Sequence, residues 1–126
     1  MEGELIHKDL TYKIIGIVYD VYNKLGYGYQ EKFYQKAISL ELKEKGISHK
    51  MEVFSPVIYN NETIGKCFLD FLIEEKVILE LKRGRSIRRS DIEQIYNYLK
   101  IRNLKLGLLI RFAPSGVIVK RIVNIK

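Results

Sequence analysis

The stretch VILELKRGRSIRR, residues 77–89, decides the fold. It begins as a run of β-branched residues and leucines, which is typical of a buried strand. Glu80 interrupts the run, Lys82 follows two residues later, and the segment then becomes rich in arginine. Because side chains alternate across a strand, Glu80 and Lys82 share one face, whereas Leu79 and Leu81 share the other. The strand therefore carries a carboxylate and an ammonium group side by side.

The preceding strand carries a second carboxylate, Asp70. A tight turn centred on Glu75 pairs residues that are equally distant from it, so Asp70 is predicted to lie opposite Glu80. Cβ atoms of directly opposed residues are ~4.5–5.5 Å apart. Two carboxylates at that distance repel each other, so a proton, a basic side chain or a cation must compensate. A divalent cation suits the pair best, because Mg²⁺ prefers oxygen ligands and commonly takes one or two carboxylates.

Lys82 is predicted to hold a water molecule or a phosphate oxygen beside this cation. A metal ion lowers the pKa of bound water and stabilises charge on phosphoryl oxygens, so the pattern favours hydrolysis of a phosphodiester. The alternative is a Glu-x-Lys pair on a solvated sheet face. The register is itself a prediction, because a slip of one residue would place Asp70 on the face opposite Glu80.

Patterns along the rest of the chain follow the order α-α-β-β-β-α-β-β. The first helix is predicted to end at Gly26, and the second to run from just after Gly28 to about Lys45. We expect Asp9 to cap the first helix and Ser90 or Asp91 to cap the third. The expected buried positions are Phe33, Ala37 and Leu40 on the second helix, and Ile92, Ile95, Leu99 and Ile101 on the third. This order predicts one α/β domain over residues 1–126, with a mixed central sheet flanked by helices.

Charge is distributed unevenly along the chain. The net charge is +7, and residues 81–126 contain 12 Lys and Arg but only Asp91 and Glu93 as acids. This asymmetry favours a polyanionic partner, most often nucleic acid, over a merely solubilising surface. The single Cys67 excludes an internal disulfide and a cysteine-based zinc site, and favours the cytoplasm. No apolar run approaches the roughly 20 residues of a membrane span, and the N-terminal residues are too polar for a secretory signal.

Arginines dominate the segment that follows the Glu80 strand. Arg83, Arg85, Arg88 and Arg89 are predicted to bind phosphates of nucleic acid, and Gly84 allows the chain to turn. Such contacts provide affinity and register without reading base sequence. A solvated surface loop is the alternative.

Four short motifs carry a resemblance to a known family. GYQEKFY, residues 28–34, has the form G-x-x-E-x-x-Y, and it is followed by FLDFLI, VILELK and QIYNYLK. This ordered set resembles the GxxExxY protein family of the PD-(D/E)XK nuclease superfamily over nearly the whole chain. The resemblance implies a restriction-endonuclease-like core and a nuclease that uses Mg²⁺ or Mn²⁺, acts on nucleic acid, with DNA as the expected substrate, and forms a homodimer.

The resemblance also implies roles for individual residues. Asp70, Glu80 and Glu31 would bind the metal ion, with Glu31 on the second helix. Lys82 would be the lysine of the (D/E)-x-K motif. Gln94 matches the glutamine that often approaches the active site in related nucleases. The candidate catalytic residues are therefore Glu31, Asp70, Glu80, Lys82 and Gln94.

Two tyrosines are expected to support the site, and three positions depart from the family pattern. Tyr98 lies one helical turn after Gln94. Tyr34 shares a helix face with Glu31, which allows a hydrogen bond from Tyr34 to the site. The family often has histidine where this chain has Asp91 and Tyr22, and asparagine where it has Arg111. These departures leave the predicted metal ligands intact.

Two other classes of function compete with the nuclease. One is a nucleic-acid-binding module with a degenerate, non-catalytic site, because a fold can keep a binding role after its site is altered. The other is a protein-interaction domain whose basic face meets an acidic partner. Metal binding separates the nuclease from the first alternative, and nucleic-acid binding at moderate salt separates it from the second.

Overall fold

Three helices and five strands make up the part of the chain that the computed structural model describes, residues 6–84 and 87–125. They are α1 (Lys8–Leu25), α2 (Glu31–Glu44), β1 (His49–Tyr59), β2 (Glu62–Ile73), β3 (Val77–Arg83), α3 (Arg89–Arg102), β4 (Leu106–Ala113) and β5 (Gly116–Val123). This order confirms the predicted one. Within those residues, no helix is both long and apolar enough to cross a membrane.

The five strands form one mixed sheet in chain order, β1-β2-β3-β4-β5. β3 and β4 run parallel, and the other neighbouring pairs are antiparallel. Helices α1 and α2 cover one face of the sheet, and α3 covers the other. β4 is buried along its whole length, because it lies inside the sheet and both of its faces are covered. The predicted α/β architecture is thus confirmed.

Helix α3 packs very closely on the sheet. Its buried residues Ile95 and Leu99 contact Ile78 and Leu109 on the strands below. A Cβ atom on Gly107 would lie 2.6 Å from Ile95 Cγ2, so only glycine allows this approach. The helix therefore runs directly above the face of β3 that was predicted to carry the site. Ile101, expected to be buried, is instead 48% exposed.

The buried face of α2 differs from the predicted one. Phe33 and Leu40 are exposed, whereas Tyr34, Ile38 and Leu42 form the core contacts. The prediction was wrong because polar Gln35 and Ser39 also lie inside. Each has a hydrogen-bond partner: Gln35 donates to the Asp70 carbonyl and Ser39 hydrogen-bonds to His49. A helix face can therefore be internal without being continuously apolar.

The predicted helix starts also need correction. Asp9 lies inside the first turn of α1, and His7 precedes the helix in a left-handed conformation. Helix α3 begins after Arg88, not at Ser90, and the Asp91 carboxylate accepts the backbone N–H of Arg88 at 3.4 Å. By contrast, Gly26 ends α1 with a φ of 77°, as glycine at this position predicts.

Candidate active site

The β2–β3 hairpin brings Asp70 and Glu80 together. Glu74 and Glu75 turn the chain with φ angles of 55° and 56°. The paired residues after this turn are Ile73–Val77, Leu72–Ile78 and Phe71–Leu79, which is the predicted register. Asp70 and Glu80 are the next opposed pair, at the point where regular pairing of the two strands ends.

Carboxylates take the place of backbone pairing beyond this point. The Asp70 N–H donates to Glu80 Oε1 at 2.8 Å, and the Leu81 N–H donates to Asp70 Oδ2 at 2.8 Å. Two residues further along β3, the Arg83 N–H donates to Glu31 Oε2 at 3.0 Å. Three acidic side chains from α2, β2 and β3 therefore converge on one edge of β3. The sequence-predicted acidic residues Glu31, Asp70 and Glu80 thus lie in one place.

Burial makes the two central carboxylates hold protons more tightly. Burial raises the pKa of Glu80 to about 8, and the charge of Asp70 adds to the effect. Burial also raises the pKa of Asp70 to about 6, with further contributions from Glu31 and Glu52. The Lys82 ammonium opposes both shifts without cancelling them. The uncompensated negative charge at this site is what a cation would neutralise.

Asp70 and Glu80 are the residues that could hold a divalent cation here. Asp70 and Glu80 each use one oxygen for a backbone N–H, which leaves Asp70 Oδ1 and Glu80 Oε2 for a ligand. Over residues 6–84 and 87–125, no group of three or more His, Cys, Asp and Glu side chains is arranged to hold a metal ion. Mg²⁺ commonly takes only one or two carboxylates and keeps several waters, so this pair suffices.

Lys82 lies on the same side of β3 as Glu80. Ile78 packs in the core beneath α3, whereas Leu79 and Leu81 pack in the core beneath α1 and α2. Side chains at even-numbered positions of β3 therefore point towards α3, as strand alternation predicts. Glu31 reaches the end of the same strand from α2, in the opposite layer.

Tyr98 and Gln94 approach this side of the sheet from α3. Tyr98 is almost fully buried; burial raises the pKa of its hydroxyl, and a hydrogen bond to Cys67 and the nearby Glu80 carboxylate reinforce the shift. Gln94 lies one helical turn earlier, is exposed, and lines a cleft with Tyr98 and Cys67. Among the described side chains it makes no hydrogen bond to Asp70 or Glu80. The structure thus places Tyr98 near Glu80, and it places Gln94 in a cleft that it shares with Tyr98.

Tyr34 supports the site from a distance. Its hydroxyl donates to the Gly26 carbonyl at 2.5 Å and accepts the Tyr29 N–H at 3.4 Å, and its ring stacks on Phe112. The expected hydrogen bond from Tyr34 to the carboxylates is therefore replaced by bonds to the loop between α1 and α2. These bonds hold the start of α2, where Glu31 lies.

Two residues near Asp70 escaped the sequence reasoning. Gln35 is buried, and its Nε2 donates to the Asp70 carbonyl at 3.0 Å, which fixes the backbone of that residue. Its position four residues after Glu31, on the same helix face, was the available clue. Glu52 adopts a left-handed φ of 51° within β1, and its charge raises the pKa of Asp70. Nothing in the sequence pattern indicates this irregularity in the strand.

Asp91 and Arg111, two of the positions that depart from the family pattern, contact each other. Arg111 Nη2 lies 2.5 Å from Asp91 Oδ2, and these side chains are 6% and 14% exposed. The same guanidinium donates through Nη1 to the Arg83 carbonyl. A Cβ atom on Gly84, whose φ is 127°, would lie 2.9 Å from that Nη1. The ion pair therefore joins β4, the start of α3 and the end of β3.

The basic segment after β3 is only partly described. The side chains of Arg83, Arg88 and Arg89 are exposed, and Arg89 Nε lies 3.4 Å from Glu93 Oε2. Arg85 lies outside the described residues, so its predicted phosphate contact stays a prediction. Arg83, whose N–H donates to Glu31, presents its positive charge to solvent beside that carboxylate, and Arg88 presents its charge at the start of α3.

Comparisons with known proteins agree with this geometry. A family model of the PD-(D/E)XK nuclease superfamily matches residues 8–122. The fold is similar to that in a solved structure titled "Crystal structure of SSO0001", with a TM-score of 0.58 and 14% sequence identity over 96% of this chain and 78% of that chain. At that identity the likeness concerns the fold alone. No curated protein sequence matches the chain significantly. Since the family model spans every helix and nearly all of the sheet, this chain belongs to the PD-(D/E)XK nuclease superfamily.

Proposed function

We propose that the protein is a metal-dependent nuclease that hydrolyses phosphodiester bonds of DNA with Mg²⁺ or Mn²⁺. The observation that carries the proposal is the reciprocal contact of half-buried Asp70 and buried Glu80 at the end of the shared strand pairing, on the strand that also carries Lys82. Within its superfamily, we assign the chain to the GxxExxY family on the motif around Glu31. A homodimer and a cytoplasmic location are part of the same proposal.

Each acidic residue has a role in this proposal. The free oxygens of Asp70 and Glu80 hold the cation, and Glu31 binds one of its water ligands while it fixes the end of β3. The bound cation would supply a lowered pKa for its water and stabilise charge on the phosphoryl oxygens. Lys82 orients the attacking water or holds a phosphate oxygen from the same strand face.

Cleavage of end-labelled nucleic acids tests the function. We expect the protein to cut DNA in Mg²⁺ or Mn²⁺ but not in EDTA, on a panel of duplex, single strand, flap, four-way junction and RNA. Glu80→Gln keeps the hydrogen bond from the Asp70 N–H but weakens the cation site. Because a metal contributes several kcal/mol to such a reaction, we expect a loss of roughly 10³-fold or more.

A matched variant and a binding measurement make the cleavage experiment decisive. Glu62→Gln changes the same side chain at the far, exposed end of β2, and it should cut as well as wild type. Equal cutting by wild type and Glu80→Gln would contradict the proposal. A folded protein that binds DNA, binds no Mg²⁺ or Mn²⁺ in a calorimetric titration and cuts nothing would instead be a non-catalytic binding module.

The exposed arginines beside the site lead to a prediction about salt dependence. Removing one phosphate-binding charge lowers the slope of log K against log salt by about 0.9 for duplex DNA. The double variant Arg83→Gln/Arg88→Gln is therefore expected to bind duplex more weakly and to reduce the slope by about 2. Lys43→Gln/Lys45→Gln, at the exposed far end of α2, is the matched control. An unchanged slope in the arginine variant would rule out binding of phosphates by these two side chains.

A further inference from the structure

A cleft of about 270 Å³ lies between α3 and the β1–β2 hairpin. Its apolar lining comes from Val57 and Cys67 on the hairpin and from Ile101 on the helix. Tyr98 belongs both to this lining and to the surroundings of Glu80. The cleft therefore shares Tyr98 with the surroundings of the proposed reaction centre.

Two amide side chains give the cleft specific hydrogen-bonding capacity. Gln94 and Asn97 are three residues apart on the exposed side of α3, and both line the cleft. A carboxamide presents donors and an acceptor together, which matches the edge of a nucleobase. The apolar lining suits the flat face of the same base. An apolar cavity with a few convergent polar groups is the usual form of a ligand site.

A buried hydroxyl lies on the same side of the hairpin. Ser55 is paired with Cys67 in the β1–β2 ladder, so the two side chains share a sheet face. Ser55 is 1% exposed, and its Oγ has no hydrogen-bond partner among the described residues. Buried polar atoms are nearly always paired, so this unpaired hydroxyl adds an unmet hydrogen-bonding group beside Cys67, next to the cleft.

Positive charge flanks the cleft. Lys100 lines it, with its Nζ 5.3 Å from the centre of the Tyr96 ring, and Arg102 follows at the end of α3, where its Nη2 donates to the Phe54 carbonyl. At the other end of α3, exposed Arg88 directly precedes the first residue of the helix. The 14-residue helix is about 21 Å long. A nucleic-acid strand that lies along it would therefore meet basic residues at both ends of the helix.

We propose that the cleft receives one unstacked base of the nucleic-acid strand bound at the carboxylates. The inference rests on the proposed nuclease function and extends it, because it names the substrate class: nucleic acid with an unpaired nucleotide beside the cut site. The hairpin and α3 enclose the base, Gln94 and Asn97 contact its edge, and Lys100 contacts a neighbouring phosphate. A fully paired duplex must first unpair a base to fill the same cleft, which costs binding free energy.

Binding in EDTA tests the cleft separately from catalysis. The probes are a DNA duplex with one extrahelical adenine and the same duplex fully paired, each carrying a fluorophore at one end. We expect wild type to bind the first about tenfold more tightly, as stacking and edge contacts to one base allow. Ile101→Trp, which fills the cleft from a half-exposed position, should abolish this preference, and Asn97→Ala should weaken it.

The control variant and the possible outcomes keep this experiment independent of the proposed function. Leu40→Trp adds the same bulk on the exposed face of α2 and should keep the preference. Equal affinity for the two duplexes in wild type, a preference that survives Ile101→Trp, or no binding to either duplex would each overturn the proposed base site. A preserved preference without cleavage in Mg²⁺ would contradict only the nuclease function.

Discussion

Replacing Glu80 with glutamine is expected to stabilise the metal-free protein at pH 8 and to remove its divalent-cation binding. Glu80 is 5% exposed and lies against the Asp70 carboxylate, so its ionised form is unfavourable in the folded state. Glutamine has nearly the same shape and cannot ionise. Its side-chain carbonyl can still accept the Asp70 N–H that Glu80 Oε1 accepts at 2.8 Å.

The direction of the pH effect follows from the raised pKa. The pKa of Glu80 rises from 4.5 to about 8 on folding, so the folded chain keeps a proton that the unfolded chain has released. The contribution of Glu80 to stability is therefore greatest below about pH 4.5, and it falls as pH rises towards 8. The loss is on the order of 3–5 kcal/mol for this group. Asp70, with its pKa raised to about 6, adds a smaller loss of the same sign between about pH 4 and 6.

Urea denaturation near pH 5 and pH 8 measures this effect. Wild type should lose several kcal/mol of unfolding free energy over that interval in EDTA, and Mg²⁺ should restore part of it at pH 8 by binding the folded state. Glu80→Gln should show a much flatter profile and no response to Mg²⁺. Glu62→Gln should behave like wild type. A Glu80→Gln profile as steep as that of wild type would show that Glu80 is not the titrating group.

Truncating Arg111 to alanine is expected to destabilise the protein by about 3–5 kcal/mol. The guanidinium and its partner Asp91 are both largely buried, with 2.5 Å between Nη2 and Oδ2. The truncation leaves Asp91 as an uncompensated charge at the start of α3 and removes a donor from the Arg83 carbonyl. Such a charge costs far more than the ion pair itself contributes, because its desolvation is no longer offset.

A double variant distinguishes the cost of a stranded charge from a general intolerance of change. Asp91→Leu/Arg111→Met replaces the pair by apolar groups of similar size, and it should lie within about 1–2 kcal/mol of wild type. Chemical denaturation of wild type, the single variant and the double variant measures both values. A single variant within ~0.5 kcal/mol of wild type would mean that the pair is not coupled to the fold.

Periodic features of the sequence were sufficient to predict most of the fold. Alternation in residues 77–83 separates the two faces of β3, and positive-φ residues around Glu75 make a turn whose register places Asp70 next to Glu80. These features depend on local geometry, so each short segment carries its own information. The order of elements, the mixed sheet and the convergence of the acidic residues follow from the same patterns and from the family resemblance.

The sequence by itself thus determined which elements form and which strand face carries the carboxylates. Only the tertiary structure decided what those elements touch. The buried Asp91–Arg111 pair joins residues of α3 and β4, Gln35 reaches the backbone of Asp70, and the α2 face includes polar residues. Such contacts depend on how layers pack together, and a polar side chain is buried only where another layer supplies its partner. No local pattern records which partner that will be.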